Sequence, residues 1–417
     1  MNEFEFAKEL LEKIVVKDIP FAMILRSSFK KKELDPTFKT NVSSLLGCEL
    51  RHHLLFTDLI KRFVGEIEFE KTIYLRFFLA NYLYLKRFNN DDLKSLALAD
   101  ISKENFDEIF GFVANNKNLI SEDLNKFSPA YLSLRFNTPE WVIKMWQKQY
   151  SKKIAYEVLK ANYHISIPVV RVNEKLVDID KFLEKYADFA RTNIENTLIY
   201  QGRGTPKNLP EIKDNRVFFM KLATKQVLDR LEIEPLKRIA VYSDVPNNIY
   251  LEMVSSFGKD VEFDMIINHL QSYYETKRNV EEHGYNNIHL YNASCTSVIT
   301  CVSYPVHTMI CLPKSSALDL LRSVPDYFLR VKQENLDDLI AGEVLALEEC
   351  ARVVEEEGRL FYMIPTLCKK ESVGVITSFL SKHSEFELIE EKQYLPFEEY
   401  DSCLYYAIMK KKGAARD

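Results

Sequence analysis

The stretch Thr308-Met-Ile-Cys-Leu-Pro-Lys-Ser-Ser316 decides how this chain is read. Residues 306–312 form a short apolar run that Pro313 closes, the pattern of a buried strand. Arg322 and Val324-Pro325-Asp326 follow, then an amphipathic segment over 336–357 that reads as a helix. Gly358-Arg-Leu-Phe-Tyr-Met-Ile-Pro-Thr366 comes next and predicts a second strand over 359–364. Strand, helix, strand is the repeating unit of a parallel α/β sheet.

Working outward, the alternation continues on both sides. Helices are expected at 216–231, 247–257, 269–283 and 371–382. Strands are expected at 238–242, 261–267, 287–291, 386–391 and 402–410. The region 206–412 therefore reads as a doubly wound α/β domain. Residues 1–125 read instead as helices almost throughout. Phe4, Leu10, Leu11, Ile14 and Val15 share one helical face, and Val42 to Phe63 continue the same period. Ile73 to Leu85 is apolar nearly all round and should be central. Asn89 to Asp92 marks a turn and helix start. Between them, 126–205 holds a linker with Ser128-Pro129, a helix opened by Thr138 as N-cap with Pro139 at its first position, and a second helix around Tyr156–Tyr163. A strand over Ile165–Val172 follows.

The totals agree with several folded domains. A chain of 417 residues exceeds one ordinary core, and its 47% hydrophobic and 28% charged residues suit a soluble protein. No apolar run approaches the roughly 20 residues that span a bilayer. The acidic N-terminus is wrong for a secretory leader. Seven scattered cysteines without a CxxC pair, and eight histidines without metal spacing, indicate free thiols in a reducing cytoplasm and no metal. A net charge of −5 leaves any RNA contact to local basic patches, such as Arg26 with Lys30-Lys31-Lys32. Gly202-Arg-Gly204 is a loop signal only, and Trp141, Trp146 and Tyr131 read as core.

The order of these motifs resembles the RsmB/Sun (Fmu) family of rRNA cytosine-C5 methyltransferases. That family's pattern is Asp-Ala-Pro-Cys-Ser, Arg-x-Pro-Asp, a helix, then Tyr-x-Thr-Cys-Ser. Here Pro313, Ser315, Arg322, Pro325, Asp326, Gly358, Leu360, Tyr362 and Thr366 sit in that frame. Pro139, Trp141, Ala161, Asn162, Pro168, Arg171, Val172 and Asn173 resemble the family's lead-in to its catalytic domain. Leu45-Leu-Gly-Cys-Glu-Leu-Arg-His-His53 and Ile73-Tyr-Leu-Arg76 resemble a NusB-type helical domain. The resemblance implies three parts: a NusB-like domain over 1–125, a small α+β RNA-recognition-like subdomain over 126–205, and a Rossmann-like class I methyltransferase domain over 206–412.

The family attacks C6 of cytosine with a cysteine thiolate, which makes C5 nucleophilic enough to take a methyl from S-adenosylmethionine; a second cysteine releases the product. Lys314 and Pro365 occupy those two cysteine positions. An ammonium cannot replace a thiolate at neutral pH, and a pyrrolidine has no reactive group. Cys311 and Cys368 lie three residues from those positions, an offset that turns a strand side chain to the other face; they read as small apolar residues. The implied cofactor contacts are altered as well. Pro246 is kept, but the paired glycines become Asn247 and Asn248, the ribose-binding acid falls at Asn268 with Asp264 back on the strand, the adenine-side acid is Asn292, and the motif's Asp is Cys311. Four parts of one mechanism have changed together.

Three readings follow. In the first, the chain is a catalytically silent relative that binds RNA, with small-subunit rRNA as partner and Arg171, Asn173, Lys314 and Arg322 as contacts. In the second, it is an active methyltransferase with a non-standard site. In the third, it is a scaffold whose helical domain docks a protein. Arg322 with Asp326 is also expected to hold local structure.

Overall fold

The computed structural model describes residues 2–30, 34–164, 166–202, 204–231, 238–258, 260–398 and 402–413. Lys31, Lys32, Arg203 and Ile165 lie outside them. Two compact units emerge: residues 1–164 with 320–333, and residues 165–319 with 334–417.

The first unit is helical. Its longest helix, Pro36–Phe63, starts at Asp35, whose carboxylate accepts from the amides of Thr37 and Phe38. Beside it runs Phe69–Ala80, which continues as one wide turn to Leu85. That turn ends on Lys86 in the left-handed region at φ 51°. Buried Asn81 stabilises the exit by accepting from Arg87 and Phe88 and donating to Phe88 and Asn90. Residues 45–53 and 73–76 meet in a buried ion network. Arg76 Nη1 and His53 Nδ1 lie 3.1 and 2.8 Å from Glu49, and Arg76 Nη2 donates to Thr57. Burial pushes the Glu49 carboxyl up, but His53 and Arg76 outweigh it and hold it below the usual range.

The second unit contains two sheets. The smaller is antiparallel, built from β1 (Val169–Val172), β2 (Phe189–Arg191), β3 (Thr197–Tyr200) and β4 (Val217–Phe219) in the order β2-β3-β1-β4. Val170, Val172, Phe182, Phe189 and Leu198 form its core. The larger joins β5 (Arg238–Ser243), β6 (Glu262–Ile267), β7 (Ile288–Tyr291), β8 (Val306–Leu312), β9 (Val354–Ile364), β10 (Phe386–Tyr394) and β11 (Leu404–Lys411). Its order is β10-β11-β9-β8-β5-β6-β7. Strands β5 to β9 are parallel, and β11 runs antiparallel between β9 and β10. The expected doubly wound domain with an antiparallel edge is therefore present. The order reverses between β5 and β8, the place where α/β sheets open a ligand crevice at their C-terminal edge.

Several local expectations are corrected. The helix expected from 216 begins as β4, because Val217 and Phe218 pair with Val172 and Arg171; the helix is only Leu222–Leu228. The helix expected to 357 stops at Ala351. Residues 354–357 instead enter β9, whose register against β8 slips between Val306 and Thr308. Gly358 sits in that bulge, where a Cβ would come within 2.9 Å of the Glu355 and His307 carbonyls. Pro139, not Thr138, occupies the N-cap of Glu140–Gln149, and the Thr138 hydroxyl donates to the Phe136 carbonyl. The helix expected from Tyr156 begins at Lys152, capped by Ser151, whose hydroxyl accepts from Ile154.

Candidate active-site region at the strand ends

The C-terminal ends of β5, β6 and β8 converge on one side chain that the motif reading passed over. Asp244, just after β5, accepts from the Asn268 amide at 2.6 Å, and its other oxygen lies 3.4 Å from the Lys314 backbone nitrogen. Asn268 follows β6 and Lys314 follows β8, so one carboxylate spans three neighbouring strands. Beneath it, buried Tyr242 bonds to Asp244; burial first, then that carboxylate, pushes the phenol well above its ordinary range. The Lys314 side chain is exposed.

The turn after β5 is held by its own side chains. Asn247 Nδ2 donates to Ser243 Oγ at 2.8 Å and to the Val245 carbonyl, while its Oδ1 accepts from the Ile249 amide at 3.1 Å. That amide opens the helix Ile249–Phe257 and is one of the unpaired donors a ligand could otherwise use. Pro246 is exposed beside it, and Asn292 donates to the Ile267 carbonyl at 2.7 Å. Asp264 lies on β6, buried and pushed up by that burial, away from the strand end. Asn247, Asn268 and Asn292 are all engaged within the protein; the first carries a Cβ where the resembled family has glycine, and the other two carry amides where it has carboxylates. At these three positions S-adenosylmethionine would meet amides that already hold internal hydrogen bonds.

A second cluster ties the loops after β8 and β9. Glu371 is fully buried and accepts from the Ser316 amide at 2.6 Å, the Ser316 hydroxyl at 2.6 Å and the Thr366 hydroxyl at 2.7 Å. The Tyr362 hydroxyl donates to the Glu371 carbonyl. Glu343, equally buried, has no donor to either oxygen among the described residues. Burial, then the neighbouring Glu371, pushes its carboxyl up to about 10, so Glu343 is neutral at pH 7 and carries its own proton. Sequence reasoning missed both residues, although Glu343 shares a helical face with Ala346, Leu347 and Cys350. Ala317, in the loop after β8, takes a left-handed φ of 46°.

Cys311 and Cys368 are fully buried, and Cys311 lies against Cys350, whose thiol burial pushes well up. Cys295 is half-buried near Tyr242 and Asp244, and burial first, then Asp244, raises its thiol. Neither Cys295 nor Cys350 is a poised thiolate. The proposed RNA contacts are dispersed. Arg171 is buried, with Nε 3.0 Å from Glu252 and Nη1 2.8 Å from Glu174. Asn173 is buried and accepts from the Lys175 amide. Arg322 belongs to the helical unit and donates to the His164 carbonyl at 2.8 Å. The expected Arg322–Asp326 partnership is replaced: Asp326 binds Arg330 at 2.5 Å and the Phe21 amide at 2.7 Å. Among the described residues no cluster could hold a metal.

No family model matches the chain. The ribosomal RNA small subunit methyltransferase B of Thermus thermophilus is 35% identical over 65 residues, a span of 16% of this chain and 16% of that protein. The chain thus matches about a sixth of that relative's length. The solved structure of PH0851 aligns over 99% of both chains with a TM-score of 0.78 at 15% identity. NSun6 from Pyrococcus horikoshii, solved with SFG, aligns over 67% of this chain and 99% of its own with a TM-score of 0.59 at 10% identity. A methyltransferase homolog from the same organism aligns over 70% of this chain and all of its own, with a TM-score of 0.58 at 13% identity.

Strand order and neighbours together define the second unit as a Rossmann-like, class I methyltransferase fold. The motif order and the local match to the Thermus protein are the points at which the chain is similar to the RsmB/Sun methyltransferases.

Proposed function

We propose that this chain is an RNA-binding member of the RsmB-like rRNA methyltransferases that has lost covalent cytosine chemistry and acts in the cytoplasm on small-subunit rRNA or its assembly. The observation that carries this reading is the replacement of both thiols within a retained frame. The loops after β8 and β9 are tied by Ser316, Thr366 and Glu371, yet present Lys314 and Pro365 where sulfurs would attack and release a pyrimidine. The helical unit is the part that would meet RNA or a protein partner. No helix among the described residues is long and apolar enough to cross a membrane.

S-adenosyl-L-methionine is the small molecule that this fold would take at the ends of β5 to β8. When bound, it would supply an electrophilic methyl group. Seating it requires the Asp244–Asn268 bond to open, so weak binding is expected.

The test uses small-subunit rRNA fragments containing 5-fluorocytosine, which trap an enzyme covalently joined to C6. Salt-sensitive binding without a covalent adduct is expected. A mass-spectrometric adduct would overturn the silent reading in favour of an active methyltransferase.

A further inference from the structure

The helical unit carries a continuous run of aromatic rings that no motif anticipated. Tyr84 stacks on His52 at 3.6 Å with planes 1° apart. His52 lies 6.2 Å from Tyr163, and Tyr163 lies 6.0 Å from Phe136. Phe136 contacts Tyr156 at 5.8 Å, and Tyr156 contacts Phe127 at 6.0 Å. Rings in a core are covered; here Tyr84 is 40% exposed, Tyr163 47% and Phe127 59%. Burial holds His52 down to about 4, so its ring is neutral at pH 7 and adds no charge to the run.

A cavity of about 370 Å³ opens midway along the rings, between Phe136, Tyr156 and Tyr163. Its lining also includes His164 and two cations, Arg135 and Lys160. Arg135 lies 5.2 Å over Phe136 and 6.0 Å over Tyr156 and makes no ion pair among the described residues. Lys160 meets Glu157 only at 4.0 Å. Arg322 donates to the carbonyl of His164, one of the lining residues. The cavity is within the size range of small-ligand sites. Stacking surfaces flanked by cations are the means by which proteins hold unpaired nucleic acid: every base has a π-face, and each phosphate seeks a cation. A peptide added as a strand would instead need an unpaired strand edge, and the cavity is lined from the helices Pro129–Phe136 and Lys152–Asn162.

We propose that this strip is a subsite for single-stranded RNA, with one nucleobase stacked on Tyr163 in the cavity and the adjoining phosphates met by Arg135 and Lys160. It rests on the RNA-binding reading above and adds the strand state and the residues.

Fluorescence anisotropy of the full chain with a short oligouridylate tests it. Tyr163→Ala weakens binding roughly tenfold, the scale of one lost base stack, while Tyr163→Phe binds as the parent does. Arg135→Ala lowers the slope of log affinity against log salt by about 0.7, the value for one phosphate of a single strand. The parent prefers the oligouridylate to a duplex of equal length. Equal affinities of parent and Tyr163→Ala, or a preference for duplex, would overturn the subsite and leave RNA binding elsewhere on the chain intact. No binding of any RNA by the parent would overturn both. Thermal melts of each variant report folding, and loss of binding in a variant that melts as the parent does counts for the subsite.

Discussion

At the residue scale, two carboxyls decide the character of the strand ends. Glu343 has its pKa raised in the folded chain to about 10, against an unfolded value near 4.5. Between those values the folded state holds one more proton than the unfolded state, so stability is fully present below the lower value and is lost as pH rises towards the upper. The slope reaches about 1.4 kcal/mol per pH unit. Glu343→Gln keeps the shape and removes the proton. Urea unfolding from pH 5 to 9 should show a flatter profile for the variant and equal or greater stability above pH 7; parallel profiles would refute it. Asp244 governs the other prediction. Its bond to Asn268 blocks the side chain expected to meet a ribose, so Asp244→Ala should tighten S-adenosylmethionine binding in calorimetry, and weaker binding would count against the block. The substitutions at 314 and 365 were plain in the sequence, because motif spacing marks them. Asp244 was not, since its importance comes from Asn268 and Lys314, 24 and 70 residues away. Arg171 matched a motif, but only the fold supplies its partner Glu252, 81 residues on.

At the element scale, the loops after β8 and β9 are held by one side chain. Glu371→Ala would remove three hydrogen bonds to Ser316 and Thr366. Each contributes about 0.5–1.5 kcal/mol net. A loss of about 2–4 kcal/mol in denaturant unfolding is the expected outcome. A loss below about 1 kcal/mol would mean the loops are held otherwise. Strands and helices of the large sheet were legible because buried parallel strands are short apolar runs between helical periods. The failures share a cause. β4 exists because it pairs with β1, and β9 starts early because a bulge at Gly358 absorbs the extra residues. Neither pairing partner nor bulge leaves a local periodicity to read.

At the scale of the whole molecule, the chain leaves its sheet between β8 and β9 and contributes residues 320–333 to the helical unit. Sequence order alone assigns this stretch, with Arg322 and Asp326, to the region it interrupts; only contacts distant in sequence reveal its neighbours. Phe328 packs against His53 with ring centroids 5.4 Å apart, Asp326 accepts from the Phe21 amide, and Arg322 donates to the His164 carbonyl. Those three partners lie within residues 1–164, so a chain of residues 165–417 alone would leave Phe328 and Val331, both buried in the full chain, facing water. A segment stripped of its packing opens at little cost and becomes a protease site. Trypsin should therefore cut that shorter chain first after Arg322 and Arg330, before any cleavage within β5 to β11. The full chain should resist at the same two bonds, and residues 1–164 added in trans should slow the cleavage. Equal rates at Arg322 and Arg330 in the long and short chains would mean that the helices give the segment no protection.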